Sequence, residues 1–279
     1  MNTEKVWFVT GASKGLGLSL VKKLLAQGFN VAATSRSVAD LKKNVEASDD
    51  VFLPLAMNIT DEADVQKAVE AAIAHFGKID VVVNNAGYGL IGGLEELTDA
   101  EARANFEVNV FGALNVIRQA LAFLRKQQSG HILNISSIGG FTGGFPAFGI
   151  YCATKFAMHG FTESLAAEVK DFGIHVTLVM PGYFRTNFLS EGSLIIPKQE
   201  IAEYKKVREV QTAHQHDIKG NQPGDPDKAA DVMIEITKQA EPPIHLFLGA
   251  DAYAAAEAKI ALVQKDMAAV KDLATATSF

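Results

Sequence analysis

The sequence predicts an α/β fold in which a parallel sheet of about seven strands carries helices on both faces. Short apolar runs alternate along the chain with segments of helical periodicity, which is the pattern of such a fold. Glycine, asparagine or serine residues follow several of these runs. Because parallel strands end at the same edge of a sheet, we expect these residues to line one cleft.

The composition is that of a single large domain, which we expect to span residues 1–279, and 48% of the chain is hydrophobic. A net charge of -6 without a long basic run argues against a nucleic-acid partner. Cys152 is the one cysteine, so an intrachain disulfide is impossible. The apolar run near residue 6 is too short for a signal peptide, and no run reaches the ~20 residues of a membrane span. We therefore expect a cytoplasmic protein without a membrane segment.

The first predicted strand, residues 6–10, runs into a glycine-rich loop and then a helical pattern over 18–27. This order aims backbone N–H groups and the positive end of a helix at a phosphate. The Gly-x-x-x-Gly-x-Gly spacing differs from the best-known dinucleotide fingerprint, and the lack of a Gly-Lys-Ser/Thr ending argues against an NTPase. An ordinary turn with a helix cap is the alternative. The residues expected at the nucleotide are Gly11, Ser13, Lys14, Gly15, Leu16 and Gly17.

The second strand, residues 30–35, ends at Ser35 and Arg36. An NAD site usually has a carboxylate here to bind the ribose hydroxyls. Arg36 instead offers a guanidinium to a 2′-phosphate, and Lys14 adds a second cation. The sequence therefore favours NADP(H) over NAD, although each cation alone is equally typical of a solvated surface.

Polar residues also follow the third strand (51–56) and the fourth (79–83). The Asn58 amide, beside Ile59, can hydrogen-bond an adenine amino group. A helix is predicted over 62–75, with Thr60 or Asp61 as its N-cap. After the fourth strand we expect cofactor contacts, or a turn whose amides bond the local backbone, at Asn85, Ala86 and Gly87.

A long helical pattern covers residues 98–126 and contains Asn109 on a mostly apolar helix. Its amide is either a satisfied core group or one that bends the helix and holds a water. The fifth strand, 131–135, leads to Ser136 and Ser137 and then a glycine-rich loop over 138–150. A serine pair at a strand end suits a hydrogen bond to a substrate oxygen, but it is also common turn chemistry.

Tyr151 and Lys155 lie four residues apart in the next predicted helix, which runs to about residue 171. That spacing places both side chains on one helical face. A lysine cation favours the phenolate, and we expect it to lower the tyrosine pKa from its ordinary value of ~10. Alone, such a pair is weak evidence of a catalytic site.

The sixth strand, 175–180, ends at Pro181, Gly182 and, shortly after, Thr186. Residues 187–222 are predicted to form a flap over the substrate, and His214 and His216 are interpreted as surface residues, with no metal site. A helix is predicted over 227–238, a seventh strand over 244–248 and a helix over 252–274. The last lies in a C-terminal extension, 251–279, expected to pack on the body or on a neighbouring subunit.

Together these motifs resemble the short-chain dehydrogenase/reductase family over about residues 4–250. The resemblance implies one Rossmann-type domain, with main-sheet strands in the order 3-2-1-4-5-6-7. It implies a catalytic tetrad of Asn109, Ser137, Tyr151 and Lys155. Ser137 lies fourteen residues before Tyr151, where the family usually has thirteen, and Asn58 replaces the family's usual aspartate.

The resemblance also implies an NADP(H)-dependent oxidoreductase that interconverts a carbonyl and an alcohol. Ser137 would polarise the carbonyl while Tyr151 gives its proton. Lys155 would also bind the nicotinamide ribose, and Asn109 would hold a water that links it to solvent. Thr186 would contact the nicotinamide carboxamide. Family members are commonly homodimers or homotetramers through the helices after the fourth and fifth strands.

An apolar ketone, aldehyde or secondary alcohol is the expected substrate, because aromatic residues border the predicted cleft. These are Phe141, Phe145, Phe148, Tyr183, Phe184 and Phe188. A different class of function is a non-catalytic NADP(H)-binding sensor or scaffold, which would have lost part of the tetrad. An enoyl reductase usually separates its tyrosine and lysine more widely, and a sugar-nucleotide epimerase or dehydratase usually has a Gly-x-x-Gly-x-x-Gly loop.

Overall fold

The computed structural model describes residues 5–190, 192–277 and 279. Seven strands form one parallel sheet. They are β1 (Val6–Val9), β2 (Asn30–Ser35), β3 (Phe52–Ala56), β4 (Val81–Asn84), β6 (Gly130–Ile135), β7 (Ile174–Pro181) and β9 (His245–Leu248). Two short strands, β5 (Gly89–Leu90) and β8 (Leu194–Ile195), pair with each other outside that sheet.

The main sheet has the order β3-β2-β1-β4-β6-β7-β9. Counted within this sheet alone, it is the order 3-2-1-4-5-6-7 that the family resemblance implies. The chain builds outward from β1 to β3 and then crosses to β4 on the other side of β1. A crevice therefore opens beyond the carboxyl ends of β1 and β4, where ligands bind in doubly wound folds.

Helices cover both faces of the sheet. They are α1 (Gly15–Ala26), α2 (Val38–Asn44), α3 (Glu62–Phe76), α4 (Asp99–Phe106), α5 (Ala113–Gln127), α6 (Gly149–Val169), α7 (Lys205–Thr212), α8 (Pro226–Ile236) and α9 (Ala250–Thr275). None of these helices is both long and apolar enough to cross a lipid bilayer.

Alternating side chains of the strands face two separate cores. On β1, Trp7 and Val9 pack with α1 and α8, whereas Phe8 packs on the opposite face with α3 and α5. This period of two is the geometry of a strand buried on both sides, and it explains why the strands read as continuous apolar runs. Because helices pack on both faces of the sheet, the strands and their carboxyl ends are held in defined positions.

Three features of the helices differ from the prediction. Helix α2 was not predicted, because Leu41 is its one buried residue and its pattern is therefore weak. The pattern over 98–126 is interrupted by a π-helical segment, Glu107–Gly112, between α4 and α5. A second π-helical segment, Ala213–Ile218, extends α7 within the predicted flap.

Candidate active site

The glycine loop after β1 packs closely against the residues that follow β4. Gly11 has a φ of 64°, and a Cβ there would lie 2.7 Å from the Ala86 Cα. Gly15, at φ 61°, begins α1. That helix has no side-chain N-cap and no acidic residue in its first turn. Its first backbone N–H groups are therefore available to donate hydrogen bonds to an anion. Gly17 lies behind the loop, where a Cβ would collide with the Asn85 amide.

Asn85 holds this loop in place. Its side-chain nitrogen donates to the carbonyl of Thr10 at 2.9 Å and to that of Gly11 at 3.0 Å. The Thr10 hydroxyl in turn accepts from the N–H groups of Asn85 and Ala86 at 3.0 and 3.1 Å. The ends of β1 and β4 are thereby joined, which satisfies the polar groups buried there.

Two exposed cations border the loop. Lys14 and Arg36 both line the cavity, and neither forms an ion pair within the described parts of the chain. The Ser35 hydroxyl donates a hydrogen bond to the Ser37 carbonyl and accepts one from the Ser37 N–H, so the local backbone already engages it. Asn58 accepts from the backbone N–H and the hydroxyl of Thr60, so ordinary turn chemistry already accounts for its side-chain oxygen.

One cavity of about 660 Å³ lies over these strand ends. Of the residues predicted from sequence for catalysis or cofactor binding, two lie behind the wall: Gly17 and Asn109. The others line it: Gly11, Ser13, Lys14, Gly15, Leu16, Ser35, Arg36, Asn58, Ile59, Asn85, Ala86, Gly87, Ser137, Tyr151, Lys155, Pro181, Gly182 and Thr186. The structure therefore gathers residues from distant parts of the sequence around one space.

The two serines after β6 have different surroundings. Ser136 is buried and donates its hydroxyl hydrogen bond to the Lys155 carbonyl at 3.2 Å. The Ser137 hydroxyl accepts from the Gly139 N–H at 3.0 Å, and its interaction with the Tyr151 phenol acts to lower the pKa of that group. Of the two serines, Ser137 is therefore the one that influences the phenol, and its catalytic role stays a prediction.

Lys155 is buried beside the tyrosine on α6. Its ammonium lies 5.8 Å from the centre of the Tyr151 ring and donates to the Ile135 carbonyl at 2.9 Å. Asn109 lies close behind: a Cβ on Gly87 would be 3.0 Å from the Asn109 Oδ1 and 3.8 Å from the Lys155 Nζ. The Asn109 amide and the Lys155 ammonium therefore meet beside Gly87.

Asn109 is fully satisfied within the protein. Its oxygen accepts from the Tyr88 N–H, and its nitrogen donates to the Tyr88 carbonyl and the Thr154 hydroxyl. It also lies in the π-helical segment between α4 and α5. The Asn109 amide is therefore a satisfied core group, and it lies in an irregular stretch of helix. That it holds a water stays a prediction.

The pKa of the phenol differs from the sequence expectation. Burial raises the pKa of Tyr151 above its ordinary value, and the hydrogen bond with Ser137 opposes this rise without reversing it. Burial also lowers the pKa of Lys155 to about 8. The expected lowering of the tyrosine pKa by Lys155 is therefore wrong for this arrangement, because burial sets the direction of the shift. At neutral pH the phenol carries its proton.

Aromatic residues line the part of the cavity beyond Tyr151. Five of the six predicted from sequence are there: Phe145, Phe148, Tyr183, Phe184 and Phe188. The prediction is wrong for Phe141, which packs on Phe247 at 5.2 Å between ring centres and stacks on His159. Apolar rings close to a proton donor suit an apolar substrate.

His214 was missed by the sequence reasoning, which placed it on the surface. It is buried, its Nδ1 lies 2.7 Å from the Val210 carbonyl, and its Nε2 lies 2.9 Å from the Tyr183 hydroxyl. An Nδ1–H donor leaves Nε2 to accept the Tyr183 proton. The pair gives the aromatic end of the cavity a polar group. His216, by contrast, is exposed as predicted.

Asp251, at the start of α9, was also missed. Its carboxylate accepts from the Tyr183 N–H at 2.7 Å, and a Cβ on Gly182 would collide with it. It thereby fixes the turn after β7. Thr186 follows that turn and faces the glycine loop, since a Cβ on Gly15 would lie 3.7 Å from the Thr186 Cβ.

The chain matches known proteins over most of its length. A family model for short chain dehydrogenases matches residues 5–193. Oxidoreductase BOA17 of Botryotinia fuckeliana is 35% identical over 250 residues, covering 89% of this chain and 90% of that protein. A short-chain dehydrogenase structure from Streptomyces avermitilis is 35% identical, covers 99% of both chains and has a TM-score of 0.91.

Two more distant structures hold a nicotinamide nucleotide. The 3-ketoacyl-(acyl-carrier-protein) reductase of Brucella melitensis, complexed with NADH, is 27% identical, has a TM-score of 0.73 and covers 88% of this chain and 96% of its own. ElxO with NADP bound is 25% identical, has a TM-score of 0.73 and covers 90% and 99%. Fold, family match and relatives agree: this chain belongs to the short-chain dehydrogenase/reductase family of oxidoreductases.

Proposed function

We propose that this protein is an NADP(H)-dependent reductase of an apolar ketone or aldehyde, with Tyr151 as the general acid. One observation carries the proposal. Tyr151, Ser137 and Lys155 line the same cavity as an uncapped helix N-terminus bordered by Lys14 and Arg36. A proton donor and an anion site therefore share one enclosed space.

The residues around the loop fit a phosphorylated nucleotide. The free N–H groups of α1 suit a pyrophosphate, and Gly11 and Gly15, which line the cavity without side chains, would let it approach the backbone. Arg36 and Lys14 suit a further phosphate on the ribose, and no carboxylate follows β2 directly. Asn58 and Ile59 would border the adenine, and Thr186 and Gly182 the nicotinamide end.

At neutral pH the Tyr151 phenol is in the protonated form that a general acid for carbonyl reduction needs. A bound NADPH supplies the hydride in this family. Tyr151, protonated because burial raises its pKa, donates a proton to the substrate oxygen, which Ser137 orients. Lys155 and Asn109 stand behind the phenol and would support its reprotonation.

The substrate end is apolar apart from one polar pair. Phe145, Phe148 and Phe188 provide flat apolar walls, and the Tyr183–His214 pair adds a hydrogen-bonding group. We propose that residues 187–222 cover a bound substrate, because Phe188, Ile195 and His214 come from this segment and line the cavity.

A carbonyl panel tests this activity. Purified protein and NADPH are mixed with apolar ketones and aldehydes of increasing size, and cofactor absorbance is followed. Turnover of at least one apolar carbonyl, faster than that of small polar ones, is expected. Tight NADPH binding without turnover of any member would favour the sensor or scaffold alternative.

Arg36 tests the cofactor assignment separately. Replacement of Arg36 with aspartate should weaken NADPH binding by about 10- to 100-fold, because a charge-assisted contact with a phosphate is lost and a repulsion added. NADH binding should be retained or strengthened, since a carboxylate can accept from the ribose hydroxyls. Fluorescence titration with both cofactors measures the change. Arg125→Asp, an equal charge change at an exposed residue of α5, is the control. An unchanged NADPH/NADH ratio in Arg36→Asp would remove Arg36 from the proposal.

We also propose that the protein is a homo-oligomer and that α9 forms part of the contact. Only Ala252 and Ala256 of this helix are buried. Beyond them a seam with alternating spacings of three and four residues is 40–65% exposed: Ile260, Val263, Met267 and Val270. Such a seam is the pattern by which two helices pair.

Charged substitutions in this seam should lower the number of chains in the oligomer. Val263→Glu with Met267→Glu places charges in the proposed contact and is expected to halve the molar mass measured by light scattering after size exclusion. Leu262→Glu is the control, because Leu262 is 51% exposed but lies off the seam. A monomeric wild type, or an unchanged mass in the double variant, would refute this contact.

A further inference from the structure

Three potential metal ligands meet outside the cavity. His159 and Glu163 lie one turn apart on α6, and His245 is the first residue of the edge strand β9. None of the three lines the cavity described above. They therefore serve no role in the proposed reduction.

Their ligand atoms form a compact triangle. The two Nε2 atoms are 3.2 Å apart, and the Glu163 Oε1 lies 3.2 Å from His159 and 2.9 Å from His245. Ligands bound tetrahedrally at about 2.0–2.1 Å from zinc are separated by about 3.3 Å. The triangle therefore has nearly the dimensions of one face of a zinc tetrahedron.

The chemistry of the three side chains fits the same ion. The His159 Nδ1 lies 3.2 Å from the Gly140 carbonyl, which sets the tautomer and leaves Nε2 a lone pair, as outer contacts do for metal-bound histidines. Phe141 stacks on the ring at 6.0 Å and restricts its motion. The Glu163 side chain is about half exposed and needs no partner to ionise, since a carboxyl of ordinary pKa has lost its proton well below pH 7. The carboxylate is thus an anion at neutral pH.

We propose that His159, Glu163 and His245 bind a single Zn²⁺ ion. Two imidazoles and one carboxylate favour zinc over magnesium or calcium, which prefer oxygen ligands. Glu163 and His245 are partly exposed, so water can complete the coordination. The ion would join α6, which carries Tyr151 and Lys155, to β9. It therefore acts as a brace between the helix and the sheet edge.

A hydrogen-bonded cluster without metal is the competing explanation, because one imidazole N–H can donate to the other two groups. Calorimetric titration of chelator-treated, tag-free protein with Zn²⁺ separates the two. We expect one ion per chain and a higher melting temperature with zinc than without, since binding to the folded state alone stabilises it. Mg²⁺ should produce neither effect.

Variants locate the site. His245→Ala and Glu163→Gln are each expected to weaken zinc binding by at least about tenfold and to remove the thermal shift. His216→Ala, at an exposed histidine outside the cluster, should bind like wild type. NADPH binding measured without zinc should be the same in all variants, which shows that they fold. Absence of saturable zinc binding, an equal response to Mg²⁺, or unaltered binding in both cluster variants would overturn the proposal.

Discussion

Replacing Tyr151 with phenylalanine is expected to lower kcat/KM for carbonyl reduction by about 10²- to 10⁴-fold, the usual contribution of a positioned proton donor. The hydroxyl is the group lost. The ring contacts with Phe148 and Phe188, at 6.1 and 5.9 Å between centres, are retained by phenylalanine. Steady-state NADPH oxidation with the best carbonyl of the panel measures the effect.

Two controls accompany this variant. NADPH affinity should change little, because the glycine loop and Arg36 are untouched. Tyr253→Phe is the matched control, because it removes a phenol hydroxyl from an exposed residue of α9 that does not line the cavity. Near-normal turnover in Tyr151→Phe would remove the phenol from the mechanism.

Lys155→Met is the second large expected effect, with kcat/KM for reduction about 10²-fold lower, because the phenol loses its neighbouring proton source. The wild-type profile should also fall above about pH 8, where the buried amine loses its charge. Methionine matches the side chain in length and tolerates burial. A pH profile of kcat/KM for both proteins, which reports groups of the free enzyme, checks the prediction.

The same substitution is expected to raise stability. Burial depresses the folded-state pKa of Lys155 from 10.5 to about 8, so the unfolded chain binds its proton more tightly. The free energy of unfolding of the wild type therefore rises with pH between about 8 and 10.5. Below that window the protein bears the full free-energy cost of burying the charged Lys155 amine, which is roughly 3 kcal/mol.

Denaturant unfolding of both proteins at pH 7 and pH 10 measures this cost. Lys155→Met should be the more stable protein at pH 7, by a margin that narrows at pH 10. A variant that is less stable at pH 7, or a wild-type profile without a decline above pH 8, would contradict the assigned ionisation of Lys155.

Much of the fold could be predicted because burial on both faces leaves a clear pattern. Strand β2 has the bounds predicted from its apolar run, Asn30–Ser35. Helix α2 has one buried residue, Leu41, so its sequence shows almost no helical repeat of apolar residues. The π-helical segment around Asn109 escapes prediction because one extra residue per turn does not alter the apolar character of that stretch.

Site residues could be predicted from the sequence where they directly follow a strand or share a helical face. Properties that depend on burial by distant parts of the chain could not be predicted. Tyr151 and Lys155 could be paired from their spacing, but the directions of their pKa changes come from desolvation by residues distant in sequence. His214 lies in a polar segment and becomes part of the cavity wall only through its contacts with Phe148 and Tyr183. Asp251 similarly acts on a turn 68 residues earlier in the chain.

Transfer of a labelled hydride tests the central claim most directly. The protein is incubated with a reactive carbonyl and NADPH carrying deuterium at the transferable position, and the alcohol is analysed by mass spectrometry. We predict one deuterium per alcohol with the wild type and almost no alcohol with Tyr151→Phe. An alcohol without deuterium, or equal labelled product from both proteins, would contradict the assignment.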